Sequence, residues 1–171
     1  MLDERMQDAI NEQINWELYS GYLYLSMASQ FAALGMPGGQ SWMTVQYKEE
    51  LVHAQLMFDY VLRRGGRVTL EAIAKPPAEW PDGLSMFKQA LAHEEVVTGR
   101  IYDLATLALE LRDHATHNFL QWFIAEQVEE EESAGDMVQK FTMAGEHPAG
   151  LYQLDKELAA RVFTAPAVAG A

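Results

Sequence analysis

Apolar residues recur every three or four positions over four long segments of the chain, which is the spacing of one face of an α-helix. The segments cover residues 3–34, 40–64, 82–112 and 113–144. Asp3 is a good N-cap for the first segment, and glycine and proline residues interrupt the pattern after each of the first two segments. The spacing therefore predicts four long helices and no regular strands.

The connection between the second and third helices is long for a compact domain. Residues 67–81 include Pro76, Pro77 and Pro81, so this stretch cannot form a regular helix. A connection of that length can carry the chain from one end of a helix bundle to the other. We therefore predict an all-α four-helix bundle in which one long crossover joins two helical hairpins.

A shorter apolar stripe follows the fourth helix and predicts a short fifth helix at the C-terminal end. The stripe consists of Leu151, Leu154, Leu158 and Val162. Residues 163–171 are rich in alanine, glycine and proline, a composition that is typical of frayed termini. We therefore predict one domain over residues 1–162 and a flexible tail over residues 163–171.

The composition narrows the classes of function. The 171 residues contain 25 Asp and Glu against 12 Lys and Arg, a formal net charge of −13. This balance argues against a partner that is nucleic acid or a membrane surface, because both need a basic face, and it favours the attraction of cations. Cysteine is absent, which excludes disulfides and thiolate metal sites. The N-terminus does not resemble a signal peptide and no apolar run is long enough to span a membrane, so we expect a cytoplasmic protein.

Polar side chains interrupt the apolar seams of the long helices at comparable depth. Glu94 lies in the middle of the seam of the third helix, and Gln127 and Glu130 take seam positions in the fourth. In the second helix, Glu50 and His53 share the inner face. Burying several unpaired carboxylates among apolar side chains would be costly in free energy. The pattern therefore predicts a bound group or ion that offsets the charge of these carboxylates.

The first helix contributes a carboxylate from a less central position. Its predicted inner face consists of Ile14, Leu18, Leu25 and Ala28. Glu17 and Tyr24 lie on the shoulder of this face, one heptad apart. Each long helix thus brings at least one carboxylate to or near the interior. A multivalent cation, or a pair of cations, is the simplest compensation for that charge.

The donor set constrains the identity of the metal. Carboxylate oxygens with one imidazole and no sulfur suit iron or manganese better than zinc. The residues available to hold two metals are Glu17, Glu50, His53, Glu94 and Glu130. Glu50 and His53 are one turn apart on one helix face. The fourth helix has Gln127-x-x-Glu130 where a second Glu-x-x-His pair would complete the set, so the two metal positions should be unequal.

Several short motifs together resemble the non-haem bacterial ferritins over nearly the whole chain, to about Val162. The motifs are Asn11-Glu12-Gln13-x-Asn15-x-Glu17-Leu18-Tyr19-Ser20, Glu49-Glu50-x-x-His53, His93-Glu94, Asn118-Phe119-Leu120-Gln121-Trp122, Glu126-Gln127-x-Glu129-Glu130 and Gly150-Leu151-Tyr152-x-Leu154-Asp155-Lys156-Glu157-Leu158. The resemblance implies a ferritin-like fold and a homo-oligomeric shell of 24 subunits. It also implies ferroxidase activity, in which Fe(II) is oxidised by O₂ or H₂O₂ and ferric mineral is stored inside the shell.

The resemblance implies a role for each site residue. The ligands of the first iron would be Glu17, Glu50 and His53, with Glu50 bridging to the second iron. The ligands of the second iron would be Glu94 and Glu130. Gln127 would lie nearby as a further ligand, or would only pack there and hydrogen-bond to Glu130.

The resemblance also implies a third iron site beside this pair. Its residues would be Glu49, Glu126 and Glu129. Tyr24 would be the tyrosine of the site and a one-electron donor, unless it is simply an aromatic residue of the core. We therefore expect iron as the bound metal, in a di-iron centre with a third site next to it.

Two alternatives remain open. A small di-iron oxidase or peroxidase could use the same ligands without storing iron, although the fifth helix favours a shell. A haem-containing bacterioferritin is the other alternative. Those proteins carry a second Glu-x-x-His pair, and a haem-ligand methionine at the position where this chain has Leu51, so we expect no haem.

Overall fold

Five α-helices account for most of residues 2–165, the part of the chain that the computed structural model describes. They are α1 (Glu4–Ala33), α2 (Pro37–Arg63), α3 (Gly83–Glu110), α4 (His114–Ala144) and α5 (Pro148–Leu158). The described residues contain no strand, so the prediction of an all-α fold is confirmed. None of these helices combines the length and the apolar character that crossing a membrane requires.

Three of the long helices begin at an aspartate that caps the first turn. The carboxylate of Asp3 accepts a hydrogen bond from the backbone N–H of Arg5 at 2.9 Å, and Asp82 accepts one from Ser85 at 2.7 Å. Asp113 caps α4 in the same way and also binds both terminal nitrogens of Arg64 at 3.1 Å. The predicted boundary between the third and fourth helices, which contains neither glycine nor proline, is therefore set by a cap and an ion pair.

The second helix begins at Pro37, three residues earlier than the sequence pattern predicts. Proline fits the first turn of a helix because its missing N–H has no partner there. Gly38 and Gly39 then lie inside the helix, where a side chain would not fit. A Cβ on Gly38 would be 1.7 Å from the carbonyl oxygen of Asp155, and one on Gly39 would be 2.4 Å from the ring of Phe31. These glycines allow close contact of α2 with α5 and α1.

The fifth helix is present but starts and ends earlier than predicted. It begins at Pro148 and ends at Leu158, so Val162 lies beyond it and is largely exposed. Leu154 and Leu158 are its buried residues. Residues 163–165 are not helical, and residues 166–171 of the predicted tail lie outside the described residues.

The long crossover between α2 and α3 runs along the side of α1. Side chains of α1 donate hydrogen bonds to its carbonyl oxygens in the same order along both segments. The pairs are Asn11 with Arg67, Asn15 with Glu71 and Ala72, Ser26 with Pro77, and Gln30 with Trp80. The crossover therefore returns the chain to the end of the bundle at which α1 finishes. The predicted connection between two helical hairpins is confirmed.

The core of the bundle divides into two apolar clusters with a polar layer between them. One cluster, near the C-terminal end of α1, includes Phe31, Trp42, Phe87 and Phe141. The other, near the N-terminal end of α1, includes Ile10, Met57, Ile101 and Leu120. Along each long helix, the buried glutamates, together with His53 and Gln127, fall between the members of these two clusters. The fold thus positions one polar layer in the middle of the bundle.

The inner face of α1 differs from the predicted face. Leu25 is 41% exposed, whereas Glu17 and Tyr24 are each 1% exposed. The buried seam steps by three and four residues through Glu17, Gly21, Tyr24 and Ala28. Leu18 and Leu25 indicate a different helical phase, because hydrophobicity alone favours a leucine over a carboxylate at a core position.

We predict that Gly38→Ala destabilises the bundle by about 3 kcal/mol, because the new methyl group would overlap a backbone carbonyl that cannot rotate away. Gly99→Ala is the matched control. It is also a glycine-to-alanine change inside a long helix, but nothing lies within 4 Å of its Cβ, so it should stabilise by about 0.5 kcal/mol. Thermal unfolding of the two variants checks this. Equal melting temperatures would show that α2 and α5 do not meet as described.

Candidate metal centre

The polar layer draws at least one side chain from each of the four long helices. Its members are Glu17 from α1, Glu50 and His53 from α2, Glu94 from α3, and Gln127 and Glu130 from α4. Their exposed fractions run from 1% for Glu17 to 7% for Glu130. Four carboxyl groups therefore lie inside the bundle, where an uncompensated charge is strongly disfavoured.

Glu17, Glu50 and His53 form the tightest group. Each offers one ligand atom, and these atoms all lie within 4.8 Å of one another. His53 Nδ1 is 3.8 Å from Glu17 Oε2 and 3.5 Å from Glu50 Oε2. The spacing leaves room for an ion between an imidazole nitrogen and two carboxylate oxygens, a donor set that suits Fe(II).

One oxygen of Glu17 is left without an ordinary hydrogen bond. Its Oε1 accepts a hydrogen bond from Gln13 Nε2 at 2.8 Å, but among the described residues Oε2 is buried with no N–H donor. A proton shared with Glu50, a water molecule or a cation can satisfy it. Buried polar atoms are nearly always satisfied in folded proteins, so this oxygen indicates a ligand position.

Glu94 and Glu130 occupy the opposite side of the layer and are held by amides and a phenol. The hydroxyl of Tyr24 donates to Glu94 Oε1, and Gln127 Nε2 donates to Glu94 Oε2 at 3.2 Å. Gln46 Nε2 donates to Glu130 Oε2 and, at 3.3 Å, to Glu50 Oε1. The alternative in which Gln127 hydrogen-bonds to Glu130 is therefore wrong. The amide of Gln127 is turned toward α3 and donates to Glu94, and Gln46 donates the hydrogen bond to Glu130.

Burial raises the pKa of three of these carboxyl groups, those of Glu17, Glu50 and Glu94, above the ordinary value of 4.5. Burial, followed by repulsion from Glu50, raises the pKa of Glu17 to about 8. The pKa of Glu94 rises to about 8 through burial and repulsion from Glu130, and that of Glu50 is also raised, first by burial. Without a cation the layer therefore holds protons at neutral pH, and a cation that binds there must release them.

The three residues predicted for a third site meet at a cavity beside this layer. Glu49, Glu126 and Glu129 line a cavity of about 170 Å³ together with His53 and Glu130. Because His53 and Glu130 also belong to the polar layer, the cavity adjoins the metal centre. Arg161 lines the same cavity, and its Nη2 donates to Glu49 Oε2 at 2.5 Å.

Two glutamines and two arginines support the layer and do not follow from the ligand pattern. Gln13 and Gln46 each lie four residues before a glutamate of the layer and donate to it. Arg100 donates to Gln13 Oε1 at 2.9 Å, and Arg161 donates to Gln46 Oε1 at 2.6 Å. The Gln-x-x-x-Glu spacing on α1 and α2 is the one sequence signal that could have revealed them.

His93 packs against the site without belonging to it. Its Nε2 lies 2.7 Å from Ser20 Oγ, and its ring stacks on Trp16 with centroids 5.9 Å apart. Burial lowers the pKa of His93 to about 4, so the ring is neutral at physiological pH. It supports the edge of Tyr24, whose ring centroid is 6.2 Å away.

Comparisons with known proteins point to one family. The ferritin-like domain family matches residues 7–144. The chain is 40% identical to a bacterial non-heme ferritin of Bacteroides fragilis (94% of this chain, all of that protein) and 35% identical to one of Escherichia coli (92% and 96%). It is 52% identical to a solved open pore ferritin of the archaeon Archaeoglobus fulgidus, which superposes with a TM-score of 0.93 over 95% of this chain and all of that chain.

The raised carboxyl pKa values predict how the stability of chelator-treated protein depends on pH. Between pH 6.5 and 8, the folded state keeps protons on Glu17 and Glu94 that the unfolded state, with carboxyl pKa values near 4.5, has lost. The free energy of unfolding should therefore fall as the pH rises through this window. His93, whose pKa falls from 6.5 to about 4 on folding, opposes this trend only at the lower end of the window, where part of the unfolded population still carries its proton.

Thermal unfolding at closely spaced pH values measures this slope. The double variant Glu17→Gln, Glu94→Gln cannot titrate at these positions, so its melting temperature should change less with pH. A wild-type slope equal to that of the double variant would contradict the assignment.

Proposed function

The chain belongs to the ferritin family, and from this premise we propose that it stores iron after oxidising Fe(II) at the polar layer. The observation that carries the proposal is the buried Glu17 oxygen that has no hydrogen-bond donor among the described residues and lies beside His53 Nδ1, which is also close to Glu50. An acidic, cysteine-free donor set of this kind suits iron rather than zinc.

Each residue of the layer has a part in binding two Fe(II) ions. The ligands of the first ion are Glu17, Glu50 and His53, and those of the second are Glu50, Glu94 and Glu130. Gln127 holds Glu94 in place through its hydrogen bond to Oε2. The first position has an imidazole and the second has only oxygens, so the second ion is held more loosely. Binding releases the protons that Glu17 and Glu94 carry at neutral pH.

Iron is the substrate of the reaction, and the electrons balance in pairs. Two Fe(II) ions each lose one electron, and O₂ accepts both together with two protons to give H₂O₂. With H₂O₂ as the oxidant, the same two electrons and two protons give two molecules of water. In this proposal Tyr24 is a one-electron donor that can supply an electron in place of one Fe(II) ion, with its phenolic proton passing to Glu94, to which the hydroxyl donates. The protein supplies the geometry and a site shielded from water.

The cavity beside the layer is a third iron site in this proposal. Glu49, Glu126 and Glu129 supply oxygen ligands there, next to His53 and Glu130 of the pair. A site at that position can receive iron from the oxidation site or pass iron on to it. The donors are oxygens in a partly open cavity, so we expect weaker binding than at the pair.

We propose further that 24 copies of the chain form a closed shell in the cytoplasm, without haem. The domain spans residues 1–162 and residues 163–171 form a tail. The relatives described as bacterial non-heme ferritins support the absence of haem, as does Leu51, which has no sulfur to ligate haem iron.

Native mass by light scattering tests the shell. A particle of 24 × 19.2 kDa, about 461 kDa, is expected. A stable dimer would leave the di-iron centre intact but would turn the function toward catalysis without storage.

Replacing the central ligands tests the oxidation site. Glu50→Ala and His53→Ala should each lower the initial rate of Fe(II) oxidation by about a hundredfold or more, because residues that merely support metal ligands already cost 10- to 100-fold when changed. The bundle should stay folded in both variants: Glu50→Ala removes a buried carboxyl group and so relieves a desolvation cost, and His53→Ala leaves both apolar clusters intact.

Glu95→Ala is the matched control. Glu95 is an exposed glutamate next to Glu94 on the same helix, so its loss should leave the rate unchanged. Rapid oxidation retained in both ligand variants, at the level of this control, would contradict the proposed site.

A further inference from the structure

Arg161 places a fixed positive charge inside the cavity that Glu49, Glu126 and Glu129 line. It lies three residues beyond the end of α5, and its side chain is only 22% exposed. Nη2 donates to Glu49 Oε2 at 2.5 Å, and Nη1 donates to Gln46 Oε1 at 2.6 Å. The guanidinium carbon also lies 4.2 Å from the centre of the Trp42 ring.

Electrostatics explains why a cation is held there. Four carboxyl groups line the cavity, those of Glu49, Glu126, Glu129 and Glu130. Carboxylates that line one cavity repel one another, and a guanidinium paired with one of them offsets part of that repulsion. Stacking on an indole ring fixes the guanidinium further. A metal ion in the same cavity would need the Glu49 oxygen that Arg161 now holds.

We propose that Arg161 is a tethered counter-ion that fills the third cation site of the iron-free protein, and that an iron ion binding to Glu49 displaces it. The inference rests on the proposed third site and deepens it. The guanidinium and the metal ion compete for one carboxylate oxygen, so Arg161 sets how much iron is needed before the third site fills. Arg161 is a regulating residue here and does not bind the iron itself.

The displacement also reaches the oxidation site through Gln46. Its Oε1 accepts the hydrogen bond from Arg161, while its Nε2 donates to Glu50 and Glu130. Arg161 thus fixes which end of the amide faces these two carboxyl groups. When Arg161 leaves, the amide is free to turn, and both carboxyl groups lose a donor. Filling the third site is therefore coupled to the ligands of the iron pair, and the coupling is reciprocal.

The chain contains a matched control in Arg100. Like Arg161, it donates to a glutamine that supports a layer glutamate, here Gln13 and Glu17, and it lies over a tryptophan, Trp16, at 4.6 Å. Its own carboxylate neighbour is the exposed Glu12 at 3.7 Å, which does not line the third-site cavity. Loss of Arg100 therefore disturbs a similar relay without freeing any third-site oxygen.

Anaerobic titration of the assembled protein with Fe(II), followed by calorimetry, tests the inference. The wild-type protein should bind a tight pair of ions and a weaker third. Arg161→Gln should bind the third ion about tenfold more tightly, because one competing unit charge is removed from a partly buried site. Arg161→Lys keeps the charge and should restore most of the competition. Arg100→Gln should leave the third dissociation constant unchanged.

Tryptophan emission provides a second readout that requires no change to Arg161. Departure of the guanidinium from the Trp42 ring should alter the emission of the wild-type protein as the third ion binds. Trp42→Phe should lack that component. An emission change that is the same in both proteins would mean that Arg161 stays in place, which contradicts the inference even if Arg161→Gln does not assemble.

The remaining outcomes separate this inference from the proposed function. Equal third dissociation constants in wild type and Arg161→Gln, or equal tightening in Arg100→Gln, would overturn the competition while the third site itself stands. A pair of tight ions with no third ion in any variant would overturn both the third site and the role of Arg161. A wild-type protein that binds no tight pair of ions in this titration would refute the proposed oxidation site as well.

Discussion

The structure depends on the burial of four carboxyl groups in one layer of a helical core. Such groups are strongly disfavoured in an apolar interior unless they are protonated, hydrogen-bonded or bound to a cation. The bundle meets this constraint by confining them to one layer between two apolar clusters. The glycines at the start of α2 and the capping aspartates of the long helices set the helix positions that bring the carboxyl groups to one level.

The buried carboxyl groups of the layer are stabilised in different ways with and without a bound cation. In the metal-free protein, raised pKa values keep protons on Glu17 and Glu94, and amides and a phenol occupy most of the remaining oxygens. A cation replaces the protons and uses the oxygen that no amide reaches. Because the supporting amides come from Gln13, Gln46 and Gln127, the positions of the ligands do not depend on the cation alone. Preorganisation of this kind favours rapid binding of a substrate ion.

Much of this arrangement is predictable from the sequence, and the parts that are not have a common cause. Helical spacing predicts the four long helices and the crossover, and carboxylates at core positions predict the residues of the layer. The partner of Gln127 and the position of Arg161 are not predictable in this way. Arg161 meets Gln46 from 115 residues away, and only the packing of α5 on α2 brings them together. The predicted burial of Leu25 is wrong for a related reason, because hydrophobicity alone favours Leu25 over Glu17 at a core position, whereas Glu17 is the buried residue.

A direct measurement of where iron binds in the assembled protein tests the central claim, which is that the buried carboxyl groups bind a pair of iron ions. Crystals loaded anaerobically with Fe(II) and measured at the iron absorption edge would show its positions as anomalous peaks. The account predicts two peaks between the four long helices, one beside His53 and one between Glu94 and Glu130, with Glu50 contacting both. Iron confined to the exposed acidic surface, with the layer unchanged, would contradict it.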